Sequence, residues 1–282
     1  MLKTVWPARQ EMTLGNLLTF RLEIELLSRI KNHSEALIYF QGISADIQDR
    51  LPYFREILTT SILSIHPVFC HSISEEVDWP PQDTEIEKWS YGSFKRAALL
   101  SQKTQQFPLL HWAPSIFSQA QTLLHQMSHA RTRQVMTVHL KRQAGGPENS
   151  NAELEEWVHF FSEHRDKIFL LLGNDVFPSH LLLPNTWIAN QLGISLPIQL
   201  ALCAICDGFM GMAAGISTAA CLSLTPYVIF KHPAHHSEEM KIELGDKDCL
   251  PFALPSQKIL RKPGTLENLK KGLELLNLSP VG

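Results

Sequence analysis

The chain has 282 residues, 44% hydrophobic and 19% charged, with a net charge of −3 and a pI near 6.5. That is enough for one large or two modest domains with a sizeable core, and it carries no nucleic-acid footprint. Five scattered cysteines (Cys70, Cys203, Cys206, Cys221, Cys249) are unlike a secreted disulfide framework, and residues 1–10 lack a signal peptide's apolar core, so a cytoplasmic location is expected.

Leu2 to Trp6 reads as a short strand, followed by a loop through Gly15 and Asn16. Phe20, Ile24, Leu27 and Ile30 recur at helical spacing, with Arg21, Glu23, Glu25 and Arg29 between them. Ala36 to Phe40 is a buried-strand candidate, which gives strand, helix, strand, the start of an α/β unit. From Ile65 to Pro108 the signals are mixed. Ile116 to Met127 is a predicted helix, and Ser128 to Arg133 a polar link that sets the expected boundary between domains 1–130 and 131–282.

The second half alternates more clearly. Gln134 to Leu140 is a strand, and Ser150 and Glu153 have capping-box spacing before a helix striped by Leu154, Trp157, Val158 and Phe161. Ile168 to Leu172 is a continuous apolar run closed by Gly173, as expected of a strand buried on both faces. Thr186 to Ala189 is a weaker strand, and Ser195 can cap a helix from Leu196 to Cys206. Asp207 to Met210 is a short strand, a helix starts near Ser217, and Pro226 to Phe230 is the last strand. Leu266, Leu269, Leu273 and Leu276 mark a closing helix. The apolar stretch Gly208 to Phe230 is too interrupted by polar residues and Pro226 for a membrane span. The alternation argues for an α/β fold with a parallel sheet covered on both faces.

Open parallel sheets bind ligands beyond the carboxyl ends of their strands. Four clusters lie there by this reading: His139 to Arg142, Gly173 to Asp175, Asp207 through Ser217, and Lys231 to His236. The third contains Gly208, Gly211 and Gly215. Small residues admit a ligand close to the backbone, and a following helix N-terminus favours an anion. The alternative is that these glycines only permit tight helix–sheet packing.

The segment Ile168 to His232 resembles the donor-binding half of GT-B glycosyltransferases, in particular the ADP-heptose:lipopolysaccharide heptosyltransferase family. The elements that carry the resemblance are Phe169 to Gly173, the helix Leu200 to Cys206, Asp207 through Ala220, and Pro226 to Phe230. It implies two Rossmann-like domains facing across a cleft: an N-terminal acceptor domain and a C-terminal domain holding a nucleotide-sugar donor. The acceptor would be a glycan or other hydroxyl compound. Donor-binding candidates are Lys141, Arg142, Gly173, Asn174, Asp207, Gly208, Gly211, Gly215, Ser217 and His232. A cation at Lys141 or Arg142 would neutralise a diphosphate leaving group, so no metal and no cofactor is expected. Strand alternation lets only one of the two reach the ligand, and a solvated charge at a strand end is the other reading.

The chain also departs from that family. It is compact, and the small-residue turn has Met210, Gly211 and Met212 where the family carries a polar residue and Ser-Gly. Where the family has an early Gly-Asp pair that supplies its proposed catalytic carboxylate, this chain reads Leu14-Gly15-Asn16. The Asn16 amide does not usefully titrate, so Glu11 in the same loop is the candidate general base. A nucleotide-sugar epimerase or hydrolase of the same fold, or a non-catalytic nucleotide or glycan binder, are the alternatives. His232, His235 and His236 lack the spacing of a zinc motif, and Cys203 and Cys206 lie in an apolar helix where cysteine behaves as a small hydrophobe.

Overall fold

The computed structural model describes residues 1–6, 12–41, 51–70, 72–74, 76–80, 93–129, 133–142, 150–175 and 177–277. The chain divides into two compact units, Met1–Pro114 and Ser115–Gly282. The division falls one helix before the polar link at 130/131, because the helix Pro114–His129 groups with the second unit.

In the first unit, β1 (Leu2–Trp6), β2 (Glu35–Gln41) and β3 (Ser64–Cys70) form a parallel sheet in that order. Helix α1 (Leu14–Ile30) joins β1 to β2, and α2 (Leu51–Thr59) lies between β2 and β3. Helix α3 (Ser93–Thr104) packs on α1. The expected loop through Gly15 and Asn16 is already helix: Thr13 is the N-cap, and its hydroxyl accepts from the Asn16 N–H at 3.3 Å. The sequence reading passed over β3 because it contains His66 and Pro67. As an edge strand it tolerates a proline that cannot donate to a ladder.

Arg21, Glu23 and Glu25, which a helical wheel would put between apolar positions, are fully or almost fully buried, whereas Ile30 of the predicted stripe is exposed. Arg21 Nε lies 2.8 Å from Glu25 Oε1. The guanidinium also donates to the Thr60 hydroxyl and to the Ile57 and His111 carbonyls, and it sits 4.7 Å over the Trp112 ring. Glu25 further accepts from the Ser61 hydroxyl and the His111 N–H. Glu23 accepts from Trp79 Nε1 and Arg96 Nε. The burial is tolerated because the charges are paired and hydrogen-bonded.

The second unit contains helix α4 (Pro114–His129) and a six-stranded parallel sheet. Its strands are β4 (Val135–His139), β5 (Ile168–Leu171), β6 (Thr186–Ile188), β7 (Gly208–Met212), β8 (Tyr227–Phe230) and β9 (Gln257–Leu260), in spatial order β6-β5-β4-β7-β8-β9. Helices α5 (Leu154–Glu163), α6 (Leu196–Cys203), α7 (Ser217–Cys221), α8 (Ser237–Leu244) and α9 (Leu266–Asn277) connect and cover it. Trp157, Phe160 and Phe161 of α5 and Leu269 and Leu273 of α9 pack against Met136, Val138, Phe169, Leu171, Met210 and Phe230 on one face. Every residue of β4, β5, β7 and β8 is buried, as parallel strands covered on both faces must be.

Four local expectations change. Ser150 does not cap α5: the Ala152 N–H is held by the Lys141 carbonyl, and the helix starts only after Glu153, its N-cap. The glycine-rich run is mainly strand, since β7 extends to Met212 and only residues 213–216 form the turn before α7. Helix α6 ends at Cys203, not Cys206. Strand β8 is not the last, because β9 pairs beyond it, where the Gln257 side chain donates to the Ser223 and Thr225 carbonyls. Among the described residues no helix is long and apolar enough to cross a membrane.

Candidate functional site

From β4 the second sheet runs outward through β5 to β6, returns through α6 to β7 beside β4, and then runs the other way through β8 to β9. The carboxyl ends of β4 and β7 therefore flank the point where strand order reverses, the place where open α/β sheets take ligands.

His139 ends β4 there and is 8% exposed. Its Nδ1 lies 3.1 Å from the Leu172 carbonyl, just beyond β5. Burial pushes the imidazole below its ordinary value; the Leu172 contact and the Asp175 carboxylate oppose that shift, and Lys141 adds to it. The neighbouring backbone is shaped around this residue. Gly173 has φ +106°, and a Cβ there would come within 3.3 Å of the imidazole ring. Gly211, paired with His139 across the β4–β7 ladder, leaves no room for a side chain, since a Cβ would meet the His139 carbonyl oxygen at 2.5 Å.

Gly173 is also held from α6. The wholly buried Gln199 accepts from the Gly173 N–H at 2.8 Å and donates to the Ile194 carbonyl at 2.8 Å. Lys141, two residues beyond β4, is half-buried, and desolvation lowers its pKa. On the β7 side the Ser217 hydroxyl closes the turn, accepting from the Ala214 N–H at 3.1 Å and donating to its carbonyl at 2.6 Å. The turn Ala213-Ala214-Gly215 carries no polar side chain, and its Ala213 and Ala214 N–H groups are taken by the Phe230 carbonyl and the Ser217 hydroxyl.

Lys141, Arg142, Gly173, Asn174, Gly215, Ser217 and His232 all follow the carboxyl ends of their strands. Asp207, Gly208 and Gly211 do not. Asp207 sits at the amino edge, where its carboxylate and backbone N–H bond Val135 at the start of β4. Gly208 opens β7, four residues and roughly 13 Å from the strand's far end. Gly211 is inside the sheet. A strand ending at Met210 would bring the three together, but pairing continues to Met212 and moves the turn beyond it. Glu11 lies outside the described residues. His139 and Gln199 were not singled out as site residues, although His139 belongs to a cluster at a predicted strand end.

His235 is buried with its ring 4.2 Å from that of His236, whereas His232 Nδ1 accepts from the Ala234 N–H. No group of three metal-ligating side chains assembles among the described residues. Cys203 and Cys206 are free and buried, and burial drives both thiols well above the ordinary range.

No protein-family model matches the chain, and no curated protein matches it in sequence. Solved structures do match it in fold. The glycosyl transferase family 9 structure from Veillonella parvula superposes with a TM-score of 0.63 at 11% identity, covering 99% of this chain and 97% of that one. The E. coli heptosyltransferase WaaC with ADP gives 0.53 at 12%, covering 98% and 100%. E. coli ADP-heptose LPS heptosyltransferase II gives 0.50 at 13%, covering 98% and 99%. At such identities the likeness is one of fold, and it runs almost end to end: the chain has the α/β fold of the GT-B glycosyltransferases.

Proposed function

We propose that this protein is a cytoplasmic GT-B glycosyltransferase that binds a nucleotide sugar at the carboxyl edge of its second sheet. It transfers the sugar to a hydroxyl acceptor such as a glycan. One observation carries the reading: the half-buried Lys141 stands at the sheet's switch point, beside a small-residue turn that lets a ligand reach the backbone. A desolvated cation there suits the negative charge that develops on a departing nucleoside diphosphate, because its field is little screened. The fold likeness to glycosyltransferase family 9 supports the same reading, and one of those similar structures holds ADP.

In this reading Lys141 takes the charge-neutralising part that a divalent metal plays in other transferases, and transfer proceeds without a metal. Arg142 and His232, which follow the carboxyl ends of β4 and β8 at the same edge, would assist. Glu11 is the proposed general base, since Asn16 cannot titrate. The deciding experiment is calorimetric titration of ADP, UDP and GDP, followed by assay of nucleoside-diphosphate release from the matching sugar with and without a hydroxyl acceptor. Acceptor-dependent release that persists in EDTA is expected. Release to water alone, or epimerised donor, assigns a hydrolase or epimerase. Tight binding without turnover assigns a non-catalytic binder, and no binding sinks the proposal. Lys141→Met should weaken diphosphate binding about tenfold, the loss of one charge-assisted contact. Glu11→Gln should abolish turnover with donor affinity unchanged.

A further inference from the structure

Only one of the two ring nitrogens of His139 is used within the described residues. Nδ1 faces the Leu172 carbonyl, which can only accept, so Nδ1 carries the proton. The neutral ring then presents Nε2 as a bare acceptor with no partner among the described residues. Two glycines, Gly173 and Gly211, are shaped around this residue at the switch point.

We propose that His139 is a specificity-determining residue whose Nε2 accepts a hydrogen bond from a hydroxyl of the bound nucleotide sugar. This rests on the nucleotide-sugar reading above. A phosphate oxygen is a poor partner for Nε2, since both are acceptors. Lys141 serves the phosphates, and His139 reads the hydroxyl beside them. The charged groups facing the ring are Asp175, beyond β5, and Lys141, beyond β4; Gln199 from α6 and Gly211 from β7 bring no titratable group.

Two substitutions separate recognition from support. Asn at 139 reproduces the Nδ1 donor toward Leu172 and removes the distal acceptor, whereas Gln places an amide oxygen near Nε2 and gives up the Leu172 bond. Calorimetry with ADP, UDP and their glucose conjugates is expected to show His139→Asn binding about fivefold to tenfold more weakly than the parent. His139→Gln should stay within about twofold of it. A loss on the diphosphate itself assigns the hydroxyl to the ribose; a loss only on the sugar conjugate assigns it to the transferred sugar. Parent affinity should also fall on acidification, as Nε2 becomes a donor, and the Gln variant should lose that dependence. If Asn binds like the parent, if Gln weakens as much as Asn, or if parent affinity rises in acid, the hydroxyl-acceptor role is overturned while the nucleotide reading stands. If the parent binds neither these four ligands nor GDP, both fall together.

Discussion

The two units bury polar groups for different ends. In the first, Arg21, Glu23 and Glu25 lie along the middle of α1, Arg21 paired with Glu25, Glu23 with Arg96, and Glu25 also with the His111 N–H. In the second, His139, Gly173 and Lys141 gather at the ends of parallel strands, with a ring nitrogen and an ammonium that no side chain or carbonyl takes up among the described residues. The first set is buried, and the Glu25 carboxyl is held below its ordinary value, the usual mark of a candidate site. Its groups nonetheless satisfy each other and sit on a helix, away from any sheet edge. Perturbation alone therefore points to the wrong unit; perturbation with unspent bonding capacity at a switch point selects the other one.

Breaking the Arg21 network should have the largest effect. Arg21→Met strands the Glu25 carboxylate in the core, and removing one partner of a buried pair costs about 3–5 kcal/mol. Thermal unfolding should show the first unit melting far below the second, with nucleotide affinity of the folded protein unchanged. Equal loss of nucleotide binding would mean that the network belongs to the site after all. Gly211→Val comes next. Its side chain would press on the His139 backbone, and overpacking of this kind costs about 1–3 kcal/mol. Here the second unit should lose stability and nucleotide affinity together, because Gly211 lies in the strand and not in a ligand-facing turn.

Much of the second unit is legible in sequence because its strands are buried on both faces. Ile168–Leu171 and Tyr227–Phe230 read as continuous apolar runs, which few other elements imitate. Edge strands are another matter. β3 contains a proline, which an edge position tolerates, and β9 begins with Gln257, buried only because its amide donates to the Ser223 and Thr225 carbonyls. The glycine run misled for a different reason: Gly208 and Gly211 are small because of tight packing inside β7, which from sequence looks the same as a turn. At the site, Lys141 is legible as a cation just past a strand. Gln199 is not, since its partner Gly173 lies 26 residues away. His139's proton assignment depends on a carbonyl 33 residues on.

Acid should sharpen the contrast with a smaller effect. Burial alone would raise the Glu25 carboxyl's pKa, but the Arg21 guanidinium and the His111 and Ser61 hydrogen bonds outweigh it and hold it below the ordinary 4.5. The unfolded chain thus takes up that proton first, and the stability Glu25 contributes is lost only as pH falls below about 4.5. His139, kept neutral by burial, is also depressed, from an ordinary 6.5. Its contribution starts to decline once the unfolded imidazole charges, below about 6.5. Denaturant melts at stepped pH should show the His139→Gln variant losing less of the second unit's stability than the parent between those two values. The first unit should be unaffected there. Identical pH dependence of parent and variant would show that the fold leaves the titration of His139 unchanged.

The smallest effect belongs to Ser217. Its hydroxyl spans the turn after β7, taking the Ala214 N–H and giving its proton to the Ala214 carbonyl. Ser217→Ala removes both bonds while leaving the neighbouring backbone covalently intact. The net cost of such bonds is about 1 kcal/mol, and a water reaching the turn would lower it further. In the Arg21–Glu25 network, whose charges are already committed to each other and to their neighbours, a loss of that size would register only in stability. Here, in the proposed reading, the turn also lies against the ligand. Loosening it should weaken nucleoside-diphosphate binding by about three- to fivefold, more than the modest shift in melting temperature would suggest. Calorimetry on the folded variant reads the first quantity and differential scanning calorimetry the second. A drop in stability with undiminished affinity would place the ligand away from this turn and leave Lys141 and His139 to define the site without it.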